Sequence, residues 1–201
     1  KYTGASVING AVTVNGGTFT GRVENYYGTP VVKGGTFSYG GSFVDVSKYV
    51  PAGYIYDKTT GVITKAVAKI GDATYTNFAE ALAAAKAMTG SVTVEIYEKV
   101  TLDGPLSGNF SSISFVGKDT DAEIYLDIQG AIYASDKTVS FADISLSKSQ
   151  GGYVADAGFR NLAFGIFNAK EVNYTNCKFI NGAYASSGKA TFTNCTFHPS
   201  H

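Results

Sequence analysis

A seven-residue phrase occurs twice in this chain, eighteen residues apart. Residues 14–20 read VNGGTFT and residues 32–38 read VKGGTFS, so that Val14 maps to Val32, Gly16 to Gly34, Gly17 to Gly35, Thr18 to Thr36 and Phe19 to Phe37. The same offset returns at the other end, where YTNCKF at 174–179 and FTNCTF at 192–197 align Asn176 with Asn194, Cys177 with Cys195 and Phe179 with Phe197. VSFADISL at 139–146 and SISFVG at 112–117 are looser versions of the phrase.

Such a period is too short for helical-hairpin repeats, which need about 33–47 residues per unit. It suits one turn of a β-solenoid, with short strands bent at Gly or Asn corners. Parallel strands of successive coils lie about 4.8 Å apart, so equivalent residues stack into ladders. Side chains alternate between the two faces of a strand. The expected inward ladders are therefore Val14 on Val32 and Phe19 on Phe37. The Gly pairs supply bends or close backbone approach, because Gly adopts conformations that other residues resist. The fold class expected is all-β, a right-handed parallel β-helix with one short capping α-helix near 77–89. An antiparallel sandwich with turns every 8–12 residues explains two recurrences at one offset less well.

Composition agrees. Only 16% of residues are charged, against roughly 25% in ordinary globular domains. Gly numbers 24, Tyr and Phe together 27, and Trp is absent, as suits strands and tight turns. Sixteen basic and sixteen acidic residues cancel, so no nucleic-acid or polybasic membrane partner is indicated. The longest helix-like apolar stretch, ALAAAKAM, falls far short of the ~20 residues a bilayer span needs, so membrane insertion of this segment is not expected. The chain opens on Lys1 without a charged-then-apolar leader, as expected of an internal segment of a longer protein.

Three parts are expected. Residues 1–56 are terminal coils of a solenoid unit, with Tyr49, Tyr54 and Tyr56 placed to cover its end. Residues 57–76 are connecting strands and hairpins with turns at Thr60-Gly61 and Gly71-Asp72. Residues 77–201 are a capping helix followed by new coils. Asn77 is the expected N-cap and Glu80 completes a capping box. Phe78, Ala81, Leu82, Ala85 and Met88 form one apolar face, and Gly90 is placed to end the helix. Either the segment holds the tail of one solenoid and the head of the next, or the halves stack into one body.

The stretch KAVAKIGDATYTNFAEALAAAK followed by SVTVEIYEKVTL resembles the opening of repeat units in large β-helix surface proteins, adhesin-like, of gut Gram-positive bacteria. VVKGGTFSYGGSFVDVSKYVPAGY resembles their closing segment. The resemblance covers residues 12–102; beyond it the family's "leucine-aspartate-leucine-asparagine-glycine" coil is reduced to YLDIQG at 125–130. It implies an extracellular, cell-surface location and a structural or adhesive role. The partners implied are adjacent repeat units of the same chain and host or microbial glycans or proteins. It carries over no catalytic residue and no cofactor.

Catalysis on this fold uses converging carboxylates. The candidates are Asp127 with Asp143, and Asp156 with Arg160, each more simply read as solvated or turn-capping. Asp119 and Asp121 are spaced like the first ligands of a calcium loop but lack its Gly and terminal Glu. His198 and His201 have no Cys, Asp or Glu nearby. No metal site is expected. Cys177 and Cys195 stack on adjacent coils within disulfide reach, but with Cβ atoms wider apart than a relaxed bridge wants. This favours two buried free thiols, with a bridge as the alternative. Asn176 and Asn194 are placed to form an amide ladder. Tyr26, Tyr27, Tyr39, Tyr54 and Tyr56 are candidate exposed rings able to stack on sugars, and Tyr26, Tyr27 and Tyr39 are the candidate ligand contacts. The function expected is a non-catalytic extracellular structural or adhesive module. The alternatives are a carbohydrate-binding module and a polysaccharide-active enzyme.

Overall fold

The computed structural model describes residues 2–3, 6–7, 10–126, 132–148, 163–180, 183–184 and 188–198. The chain forms two compact units, Lys1–Ala66 and Val67–His201. The boundary cuts the stretch 57–76 in two. One antiparallel hairpin, Tyr54–Tyr56 with Ile63–Lys65, belongs to the first unit. A second, Ala68–Ile70 with Ala73–Tyr75, belongs to the second.

In the first unit, strands Tyr2–Thr3, Thr13–Thr20 and Val31–Tyr39 lie parallel, one coil above the next. Ser6–Val7 and Val23–Glu24 form a second parallel face. Val14 pairs with Val32, and Phe19 with Phe37. The two phenyl rings stack at 4.6 Å, 3° from parallel. Val32 and Phe37 are buried with Val46 and Ile63, and Tyr49, Tyr54 and Tyr56 pack half-buried against them. Between the paired valines and the paired phenylalanines the register slips, so that Asn15 sits opposite Gly34. Gly17 and Gly35 take φ of 112° and 111° there. A Cβ on Gly35 would lie 2.9 Å from the Gly17 carbonyl oxygen. The Gly-Gly step is thus a bulge that only glycine allows to stack on itself.

The second unit is a β-solenoid whose first side is five parallel strands, Gly90–Ile96, Phe110–Gly117, Thr138–Ala142, Glu171–Thr175 and Lys189–Thr193. Its second side is Lys99–Leu102, Glu123–Leu126, Ser145–Lys148, Lys178–Ile180 and Thr196–His198. Two short parallel pairs, Ile132–Tyr133 with Ile166–Phe167 and Ala163–Phe164 with Ala183–Tyr184, complete the coils. Alternation turns every second residue inward. The column Val94, Phe115, Phe141, Tyr174, Phe192 runs through five coils. Its four aromatic rings stack at 5.5, 5.2 and 5.0 Å. On the second side Val100, Ile124, Leu146, Phe179 and Phe197 form the facing column.

The eighteen-residue period belongs to the chain ends only. Val92 pairs with Ile113, Ile113 with Val139, Val139 with Val172 and Val172 with Ala190, so successive coils take 21, 26, 33 and 18 residues. Strand positions repeat faithfully while the residues joining them do not, which is why the middle phrases match only loosely.

Corners between the first and second sides fall on one column, Gly117, Asp143, Asn176 and Asn194. The last three hold φ of 53°, 53° and 52°. Asn and Asp tolerate this left-handed conformation because their short polar side chains bond locally. Here they also bond along the axis: Asn176 Nδ2 donates to Asp143 Oδ1 at 2.8 Å, and Asn194 Nδ2 donates to Asn176 Oδ1 at 3.4 Å.

The helix spans Phe78–Ala87, and the Asn77 side chain accepts from the amides of Ala79 and Glu80 at 2.8 and 3.4 Å. Ala81, Leu82 and Ala85 are buried in the solenoid core, and Phe78 packs against it with its ring 6.4 Å from Phe115. Met88, expected on the same face, is exposed, because the helix has ended and residue 88 is extended. Gly90 starts the first solenoid strand instead of ending the helix. The helix C-terminal carbonyls are met by Asn109, whose backbone N–H bonds Lys86 O at 2.8 Å and whose Nδ2 bonds Ala87 O at 3.4 Å. The Ala68–Ile70 strand pairs antiparallel to Gly90–Ile96. Hairpin and helix together cover the first coil, where an unpaired edge would otherwise invite another chain.

Two outcomes test this account by chemical denaturation. Phe141→Ala removes a buried ring from the middle of the ladder and should cost about 3–5 kcal/mol, whereas Phe192→Ala, at a 40% exposed position, should cost under about half of that. At the corner, Asn176→Ala should destabilise by about 1–2 kcal/mol through left-handed strain alone. Asn176→Gly should fall between it and the parent, since Gly keeps the conformation and loses only the ladder bonds.

Candidate functional site

The exposed tyrosines of the first unit sit where its strands end. Arg22 and Glu24 flank Val23, which packs against the core, and Tyr26 follows at the start of the bend over residues 26–28. The Tyr26 hydroxyl donates to Glu24 Oε2 at 2.5 Å. The hydrogen bond to that carboxylate, with its charge, holds the phenol above its ordinary pKa. At the other end the Arg22 guanidinium lies 5.6 Å from the centre of the Tyr39 ring. Tyr39 closes the Val31–Tyr39 strand at a two-residue hairpin through Gly40-Gly41, both at positive φ, into Ser42–Phe43. The Gly21 amide donates to Ser38 O at 2.8 Å, which sets Arg22 beside Tyr39 on the neighbouring coil. Tyr39, Arg22, Glu24 and Tyr26 thus form one strip, aromatic at both ends with an ion pair's worth of charge between.

Tyr26, Tyr27 and Tyr39 are 71%, 69% and 54% exposed. Tyr27 follows in the loop, where its carbonyl accepts from the Gly10 amide at 2.8 Å and Asn25 Nδ2 bonds Gly28 O at 3.2 Å. Tyr54 and Tyr56, candidates both for an exposed face and for covering the end of the stack, are half-buried against the first unit's core, as the second reading expects. Tyr56 donates to Val44 O at 2.8 Å, and burial raises its pKa. Their strand forms the hairpin that packs against the first unit's core, so their rings are filler. Counting tyrosines overlooks Arg22 and Glu24; the signal for them was that they flank the apolar Val23.

Of the residues weighed for catalysis or metal binding, Asp119, Asp121, Asp143 and His198 fall within the described residues. Asp127, Asp156, Arg160 and His201 lie outside the described residues. Asp143 accepts its corner bond from Asn176. Asp119 forms a local turn, its carboxylate accepting from the Thr120 hydroxyl at 3.2 Å and the Asp121 amide at 3.4 Å. Among the described residues no three His, Cys, Asp or Glu side chains are grouped to hold a metal ion. Lys99 bridges Glu123 at 3.0 Å, and the Ser147 hydroxyl donates to the same carboxylate. Ser147 is buried, which withholds its oxygen from any substrate.

Cys177 and Cys195 are both free thiols. They follow Asn176 and Asn194 on adjacent coils, and the Thr196 amide donates to Cys177 O at 2.9 Å. Cys177 is buried, with Sγ 3.4 Å from the carbonyl oxygens of Phe141 and Thr175; Cys195 is partly exposed. Burial, with Cys195 alongside, pushes the Cys177 thiol up to about 12.

No protein-family model matches the chain, and neither a curated protein nor a solved structure matches it. No helix among the described residues is long and apolar enough to cross a membrane.

The thiols give a prediction whose sign is fixed. Cys177 in the folded state sits above the ordinary thiol value of 9.0, so the unfolded chain loses this proton first. The stabilisation is complete below that value and declines as pH rises toward 12. Urea midpoints should fall over this range less steeply in Cys177→Val than in the parent. Because the thiolate is the reactive form, iodoacetamide on the folded chain should label Cys195 well before Cys177, as read by peptide mass spectrometry.

Proposed function

We propose that the chain is a non-catalytic extracellular module of the β-helix, adhesin-like surface-protein kind its sequence resembles, serving as a stiff structural and adhesive element. The observation that supports this reading is the division of labour within the coils. Inward columns are continuous aliphatic and aromatic ladders over five coils. The outward columns of the first side carry mainly short polar groups, such as Thr93, Ser114, Ser140, Asn173 and Thr191 in register. Stacked parallel coils resist bending and shear through their many strand-to-strand hydrogen bonds, and a polar outer face keeps the body soluble while presenting a long surface.

Two measurements test it. Antibodies against the chain should label intact, unpermeabilised cells of the organism that encodes it. Incubation with pectic and other polysaccharides should release no new reducing ends and no unsaturated products. Labelling only after permeabilisation, or turnover of any polysaccharide, would overturn the reading.

A further inference from the structure

We infer that the strip Tyr39–Arg22–Glu24–Tyr26 is a binding face for a neutral, hydroxyl-rich glycan chain. The aromatic ends set the type of ligand. A tyrosine ring offers an apolar face to the C–H side of a sugar ring and a polar edge to its hydroxyls, and both end rings are more than half exposed. Both rings are already oriented, Tyr26 by its bond to Glu24 and Tyr39 by the Arg22 guanidinium. Holding them in place lowers the ordering cost that a mobile side chain would meet on binding.

The middle of the strip sets the class. A sugar hydroxyl both donates and accepts. Arg22 supplies only donors and a Glu24 carboxylate only acceptors, so the pair serves neighbouring hydroxyls on one ring. A carboxylated or sulfated sugar would gain Arg22 but meet like charge at Glu24, as would a cationic ligand at Arg22. The placement of the two rings on neighbouring coils sets the size. Tyr39 ends a strand of the coil that follows the one carrying Arg22, Glu24 and Tyr26, and its ring lies 5.6 Å from the Arg22 guanidinium. A ligand that meets both rings crosses the Arg22–Glu24 pair from one coil to the next, which suits a short oligosaccharide better than a single monosaccharide.

The face deepens the adhesive part of the surface-module reading and rests on that reading for access to glycans. Surface labelling without glycan binding overturns this face alone; glycan binding without surface labelling overturns the location alone. The test is affinity electrophoresis of the whole chain through gels containing a neutral β-glucan, a galactan or a mannan, with polygalacturonate and a sulfated glycan as charged comparisons. At least one neutral gel should retard the protein. Tyr26→Ala and Tyr39→Ala should each weaken that apparent affinity about tenfold, the loss of one aromatic platform. Tyr39→Leu, which keeps apolar bulk without a π face, should weaken it equally, and Tyr133→Ala in the second unit should leave it unchanged. Circular dichroism should be the same for all four variants. The inference is overturned by retardation in charged gels alone, by no retardation in any gel, or by neutral-gel binding that Tyr26→Ala and Tyr39→Ala leave intact.

Discussion

Hydrogen bonding between successive coils places like side chains on top of one another, and every other feature follows from that stacking. A parallel ladder fixes the axial spacing, and the pleat fixes which residues face inward. Once Phe115 is set, Phe141, Tyr174 and Phe192 have one place to go, and their rings meet in offset stacks at about 5 Å. The core is therefore a set of columns, each needing only one kind of residue per coil. This explains how a chain with few charges and no Trp builds two cores from Val, Ile, Leu, Phe and Tyr.

Stacking also makes the corners cooperate. The left-handed corner column of the second unit begins with an aspartate and continues with asparagines. A carboxylate only accepts, whereas an amide accepts at one atom and donates at another. Asp143 can thus start the axial chain of hydrogen bonds but not extend it, while Asn176 and Asn194 pass it on, each donating toward the coil before. The ladder consequently has a direction, set by which residue occupies its first rung.

Much of this was legible in the sequence because columns leave a periodic trace. VNGGTFT over VKGGTFS and YTNCKF over FTNCTF placed the Val, Thr and Phe rungs in register, though the Gly-Gly bulge sets Asn15 rather than Gly16 opposite Gly34; the helix with its Asn77 cap was plain from spacing. Three things were not. The coils of 21, 26 and 33 residues hide the period, since only inward strand positions are constrained. Met88 fits the apolar helical face but lies one step past the last turn. Tyr54 and Tyr56 suit an exposed face and an end cover equally by residue type, and only the hairpin that packs them against the Val32 and Phe37 cluster decides between the two. The binding strip was half legible: its tyrosines stood out by type, whereas Arg22 and Glu24 mattered only once neighbouring coils were in register.

The unequal coils carry a consequence for how such a molecule accommodates added length. Residues added between paired strands leave the columns untouched, and closing a longer excursion costs only about 0.6 kcal/mol for each doubling of its length. The lengthening from 21 to 33 residues between Val92 and Val172 occurs without displacing a single inward column. Framework and decoration are in this way separable within one fold: the excursions between strands differ in length from coil to coil while the spine that carries them stays the same.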